Sequence, residues 1–112
     1  MLLGAFGAHA LRGVLDVQSR ELWHTAVNYH VWHALALALA VGLGRGRSRR
    51  IAIAEVAFGI ALFSGSLYAL AGGVSGTLRL VIGAPTPLGG LALILAWCAA
   101  AAGIARTVAS PS

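Results

Sequence analysis

The stretch IAIAEVAFGIALFSGSLYALA, Ile51 to Ala71, carries one charged side chain, Glu55, along its whole length. A helix needs about 20 apolar residues to cross the roughly 30 Å of hydrocarbon in a bilayer. Inside lipid every backbone N–H and C=O must find its partner within the protein, so a run of this kind predicts a membrane-spanning α-helix. Leu88 to Ala105, opened by PTPLGG and closed by Arg106, predicts a second span. Trp23 to Leu43 predicts a third, polar in its first half and apolar in its second.

Composition agrees with lipid contact. Of the 112 residues, 59% are hydrophobic and 10% charged, whereas ordinary soluble chains hold about 25% charged residues. The net charge of +5 comes from arginine alone, since the chain has no lysine. Four of the eight basic residues sit in one short segment, GRGRSRR, between two apolar runs. A nucleic-acid-binding arm would be polar well beyond such a segment, so that class is set aside. The single cysteine, Cys98, excludes an intramolecular disulfide and a multi-cysteine metal site, and reads as a small buried hydrophobe.

One domain, residues 1–112, is expected to hold four helices at about 1–13, 22–43, 51–71 and 87–107. The fold class is all-α, an integral membrane four-helix bundle whose first helix is short or N-terminally truncated. MLLGAFGAHAL has no positive residue ahead of its apolar run, which argues against a signal peptide. At 1.5 Å per residue it reaches about 16 Å, a half-span or the last half of a helix that begins outside the chain. The mixed-charge segment Arg12 to Glu21 suits an interfacial connection. Gly72 to Pro87 reads as a longer loop with an apolar patch, Leu78 to Ile82, dipping into the interface. Arginine bias places loop 44–50 and the C-terminus on the cytoplasmic side of a bacterial inner membrane. Arg45, Arg47, Arg49, Arg50 and Arg106 then lie inside, against Arg12, Arg20 and Arg79 outside.

The polar half of the second helix raises the functional question. At 100° per residue, Glu21, His24, Thr25 and Asn28 share an arc of about 100°, and Tyr29, His30 and His33 share a neighbouring one. Ring nitrogens facing lipid would each cost several kcal/mol, about as much as any unpaired polar group there, so this half must be covered. It is expected to face the first helix. His30 and His33, spaced i,i+3, together with His9 at the same depth, are the candidate ligands for copper, zinc or haem iron. The spacing matches no strong metal motif. The other reading is that the histidines hydrogen-bond across helices, with tryptophan and tyrosine as interface anchors.

Glu55 lies about one turn inside its span. It is either a proton-coupling group or the partner of Arg49 or Arg50 reaching back. Ala57, Ala61 and Gly65 recur every four residues and predict a close-packed helix seam. Ser64 and Ser66 are expected to bond back to carbonyls of their own helix. GAPTPLGG starts the last helix with proline in its first turn. It lacks the lysine and preceding strand of a phosphate-binding loop.

Four pieces occurring in order, LGAFGAHAL, WHTAVNYHVWHALAL, FSGSLYAL and APTPLGGLALILAW, resemble the small inner-membrane proteins of domain-of-unknown-function family 423. This is the YgdD-like family, whose mitochondrial relatives are called transmembrane protein 256. The resemblance covers nearly the whole chain. It implies a four-helix integral membrane protein without established activity. His9, Tyr29, His30, His33, Ser64, Gly65, Tyr68, Pro87 and Gly89 would fall on motif positions, with no catalytic role attached. Members generally carry a longer run ahead of the GAFGAH piece.

The candidate ligand site or interhelical polar cluster is therefore His9, His24, Asn28, Tyr29, His30, His33, Ser64 and Tyr68, with Glu55 a separate candidate proton site. The expected function is a structural, accessory or assembly component of the inner membrane, not an enzyme. Its partners would be the lipid bilayer, a larger membrane complex or further copies of itself. No cofactor is required by the sequence. The alternatives are a histidine-lined metal or haem binder and a small proton-coupled transporter using Glu55.

Overall fold

A computed structural model describes residues 1–43 and 46–109. Gly44 and Arg45 of the basic turn, and residues 110–112 at the C-terminus, both expected to be cytoplasmic, lie outside the described residues. The chain is all-α: α1 spans Leu2–His9, α2 Val17–Leu43, α3 Gly46–Ala71, α4 Gly76–Gly83 and α5 Thr86–Ala109.

Local chemistry sets the helix ends. α1 stops at Ala10, and Leu11 carries the turn that brings Val14 and Leu15 back onto its carbonyl at 3.1 Å. Asp16 then caps α2. Its Oδ1 accepts from the Ser19 amide at 2.7 Å, and its carbonyl accepts from the Arg20 amide at 3.0 Å. α3 closes with the Gly72 amide on Tyr68 O at 3.0 Å, followed by Gly73 at φ +90°, a conformation that favours glycine. Between α4 and α5, Pro85 supplies no amide donor, and the helical path breaks there into two pieces.

Four boundaries differ from expectation. α2 begins at Val17 rather than residue 22, because Asp16 caps it, so Val17 to Glu21 of the expected connection is helix. α1 is shorter than 1–13, because Gly13 and the turn at Leu11 end it. α3 begins at Gly46 rather than residue 51, so Gly46 to Arg50 of the basic segment is the first turn of a helix and not a tight turn. Arginine is a good helix former, and its long stem lets the charge stay in water. The Gly72–Pro87 segment is mostly helix, since TLRLVI contains no breaker and a lipid-facing backbone must bond internally. α4 buries none of its side chains; Leu78, Leu80 and Val81 are exposed.

The bundle is flat, with principal extents of 58 × 30 × 16 Å. The short dimension is little more than one helix diameter of about 10–12 Å. α3 lies at the centre, with α2 on one side and α5 on the other, while α1 rests on α2 and α4 on α3. The core consists of Ala26 from α2, Ala52, Val56, Leu67 and Ala71 from α3, and Leu93 and Ala96 from α5. Backbones approach most closely where Gly89 meets α3. A Cβ on Gly89 would lie 2.5 Å from Phe63 N and 2.9 Å from Leu62 C. Gly59 answers from the other side, where a Cβ would lie 2.5 Å from the Leu93 side chain.

The seam is thus Gly59 and Gly89. Ala57, Ala61 and Gly65 are exposed, and a Cβ at Gly65 would meet nothing within 4 Å. That stripe faces outward, because lipid accepts small apolar residues as readily as a neighbouring helix does. Cys98 is exposed too, contrary to the expectation of burial. Two segments, Arg49–Ala71 and Gly76–Gly103, are long and apolar enough to cross a membrane unaided. α2 has the length, with 27 residues, but its polar half keeps it out of that class.

Candidate functional site

His33 is the most completely held polar group of the cluster. It is 8% exposed, within the layer formed by α2, α3 and α5. The Trp97 indole N–H of α5 donates to its Nε2 at 3.2 Å. Its Nδ1 lies 2.8 Å from the Tyr29 carbonyl one turn earlier. An indole nitrogen only donates and a carbonyl only accepts, so the ring is the neutral tautomer with its proton on Nδ1. Both nitrogens are spent. The Tyr29 ring stacks on the imidazole at 5.9 Å with an interplanar angle of 9° and also meets Phe63 of α3 at 4.6 Å.

His30, one turn nearer the start of α2, faces Tyr68 of α3. The Nδ1 to Tyr68 Oη distance is 3.4 Å, a long hydrogen bond, and the rings meet edge-on at 6.2 Å. Tyr68 in turn packs against Trp23 at 4.8 Å, and Trp23 against Phe6 of α1 at 6.1 Å. The Trp23 indole donates to the Leu3 carbonyl at 3.0 Å. Gly7 makes room for it, since a Cβ there would clash with the edge of the indole. His30 and Tyr68 open onto a lateral groove of about 370 Å³ whose walls include Met1, Leu3, Val27 and Val31.

The helix partners differ from expectation. α1 meets α2 mainly through Trp23 and Val27. His33 turns toward Trp97 of α5 and His30 toward Tyr68 of α3, while His30 also shares its groove with Met1 and Leu3 at the α1 end. His9 is exposed at the end of α1, and His24 and Asn28 are exposed on the far side of α2. Among the described residues no three His, Cys, Asp or Glu side chains come together to hold a metal. His9, His30 and His33 are not brought together as a ligand set.

Ser66 donates to Phe63 O at 2.9 Å, as expected, and lies 2.6 Å from Thr86 Oγ1, tying α3 to the start of α5. Ser64 does not bond back: it is 1% exposed and its Oγ has no hydrogen-bond partner among the described residues. Glu55 is half-buried with Oε2 likewise unpartnered. The expected pairing with Arg49 or Arg50 is not made, since both are exposed and line a cleft at the start of α3. At the start of α2 the Asp16 carboxyl is held below its ordinary value, first by the Ser19 amide and hydroxyl and then by the charges of Arg20 and Arg79.

Sequence reasoning did not single out Trp97, Trp23 or Thr86 as partners. A signal exists for the tryptophans: an indole N–H inside an apolar span needs an acceptor, and histidine is the strongest one at that depth.

The comparisons point to a family of membrane proteins. Residues 3–90 match the family model described as "Protein of unknown function (DUF423)". The chain is 43% identical to the UPF0382 membrane protein YwdK of Bacillus subtilis over 99 residues, 85% of this chain and 77% of the relative. It is 36% identical to a UPF0382 membrane protein of Haemophilus influenzae, over 90% of this chain and 80% of the relative. Identity to a UPF0382 membrane protein of Schizosaccharomyces pombe is 37%, over 85% and 82%. No solved structure matches. By the family model and these relatives, the chain belongs to the DUF423 (UPF0382) family of membrane proteins, a family without an established activity.

Proposed function

We propose that this chain is a multi-pass inner-membrane structural or accessory component, not an enzyme, that works as part of a larger membrane complex. In this reading the basic segment and C-terminus face the cytoplasm, following the arginine bias. The observation that carries it is His33, whose two ring nitrogens are both engaged within the protein, by Tyr29 and Trp97. An imidazole held in that way is interhelical glue and has no lone pair left for a metal. The small loops leave no separate domain for chemistry. Protein extracted from its native membrane without chelators or a histidine tag is expected to carry no stoichiometric copper, zinc or haem and to co-isolate with other membrane subunits. Stoichiometric metal or a chromophore, lost in a His30→Ala, His33→Ala variant, would overturn the reading.

A second reading rests on Glu55, whose buried Oε2 has no hydrogen-bond partner among the described residues. A carboxylate of this kind within a span suits proton coupling. Proteoliposome flux that Glu55→Gln abolishes would favour it, and absent or unchanged flux removes it.

A further inference from the structure

α2 presents two polar faces, and the bundle uses one of them. Ala26, His30 and His33 point toward α3 and α5. On the opposite side Glu21, Thr25, Asn28, Trp32, Leu35 and Leu39 are all exposed. They follow one another at intervals of 4, 3, 4, 3 and 4 residues. Their average of 3.6, the period of the α-helix, keeps the stripe in line along one face of α2. The stripe is polar for two turns and apolar for the next two, with Trp32 67% and Leu39 57% exposed.

Asn28 stands five positions inside the span expected to begin at Trp23, about 8 Å along the helix. At that point lipid offers its exposed amide no partner. The two other long helical segments are apolar enough to cross alone, whereas α2 is not. The outward face of α2 therefore needs a partner that is polar over the same two turns. This chain supplies one. Every copy is inserted in the same orientation, so a two-fold axis along the membrane normal places equal depths opposite each other. An asparagine amide both donates and accepts and is complementary to itself across such an axis. Glu21 and His24, one turn apart, pair an acceptor of one copy with a donor of the other.

We propose that the protein associates with a second copy of itself through this face of α2. Asn28 of each chain bridges to its counterpart, Glu21 and His24 pair at the outer end, and Trp32, Leu35 and Leu39 pack below. The outward Ala57, Ala61 and Gly65 stripe of α3 makes no such demand, because lipid covers it without cost.

Disulfide trapping in native membranes tests this. In a Cys98→Ser background, which removes the single native cysteine, Asn28→Cys, Trp32→Cys and Leu35→Cys probe the stripe. Phe58→Cys on α3 and Leu91→Cys on α5, exposed to similar degrees, probe other faces. Mild oxidation of the full chain at low expression is expected to give homodimers at 28, 32 and 35, with about tenfold less at 58 and 91. Asn28→Leu placed in the Leu35→Cys variant is expected to lower dimer yield roughly threefold, the usual size of an interhelical hydrogen bond in a membrane, and Asn28→Gln to retain it. Equal trapping on all faces, trapping only at 58 or 91, adducts of another protein's mass at the stripe, or a yield unmoved by Asn28→Leu would each overturn the proposal.

Discussion

Replacing Gly89 with alanine should separate α3 from α5, and its cost can be isolated from helix propensity. The added Cβ would lie 2.5 Å from Phe63 N and 2.9 Å from Leu62 C. Ordinary contacts sit at about 3.5–4.0 Å, so the helices must part by about 1 Å. The obstructing atoms are backbone and cannot rotate away. Overpacking of this kind costs about 1–3 kcal/mol, and rigid neighbours put Gly89→Ala near the upper end. Alanine also returns about 1 kcal/mol of helix propensity. Gly65→Ala earns the same propensity term on the same bundle, yet its Cβ meets nothing within 4 Å. The difference between the two variants is then the steric term alone, near 3 kcal/mol, or roughly 100-fold in the folding constant. Reversible unfolding in mixed micelles by denaturing detergent, followed by circular dichroism, should place Gly65→Ala at or above the parent and Gly89→Ala well below it. Equal midpoints for the two variants would refute the close approach of α3 and α5.

Two further outcomes follow from single contacts. Ser66→Ala should lower stability by about 1 kcal/mol, a net hydrogen bond to Thr86 and Phe63. Ser64→Ala should be neutral or stabilising in the same assay, because its buried hydroxyl has no hydrogen-bond partner among the described residues. At the start of α2, the Asp16 pKa is lowered from its ordinary value of 3.8. The stabilisation is therefore complete above that value and lost as pH falls through the lowered one. Amide exchange at Ser19 should accelerate below about pH 3.8 in the parent, while Asp16→Asn should show no such step.

Two of the three expected spans, the fold class and the polar half of α2 are legible in the sequence, because lipid imposes length and apolarity on a helix that crosses it. The packing phase is not. Ala57, Ala61 and Gly65 form the more regular small-residue pattern, yet Gly59 and Gly89 make the contact. Both stripes are equally acceptable to lipid, and only the facing helix tells them apart. The same holds for α2. Its two polar arcs are visible on a helical wheel, but the choice of His30 and His33 for the inside depends on Tyr68 and Trp97, far away in sequence. α4 escaped notice because a loop rich in glycine and proline at its ends hides a breaker-free TLRLVI in its middle.

The account's central claim is that the buried imidazole of α2 is consumed in holding helices together. Nitrogen-15 NMR of histidine-labelled protein in lipid bilayers at neutral pH tests it most directly. The predicted spectrum has a protonated Nδ1 and a bare, hydrogen-bonded Nε2 for His33, altered by Trp97→Phe and indifferent to added zinc or copper. A proton on Nε2, or an Nε2 resonance that moves when metal is added, would contradict it.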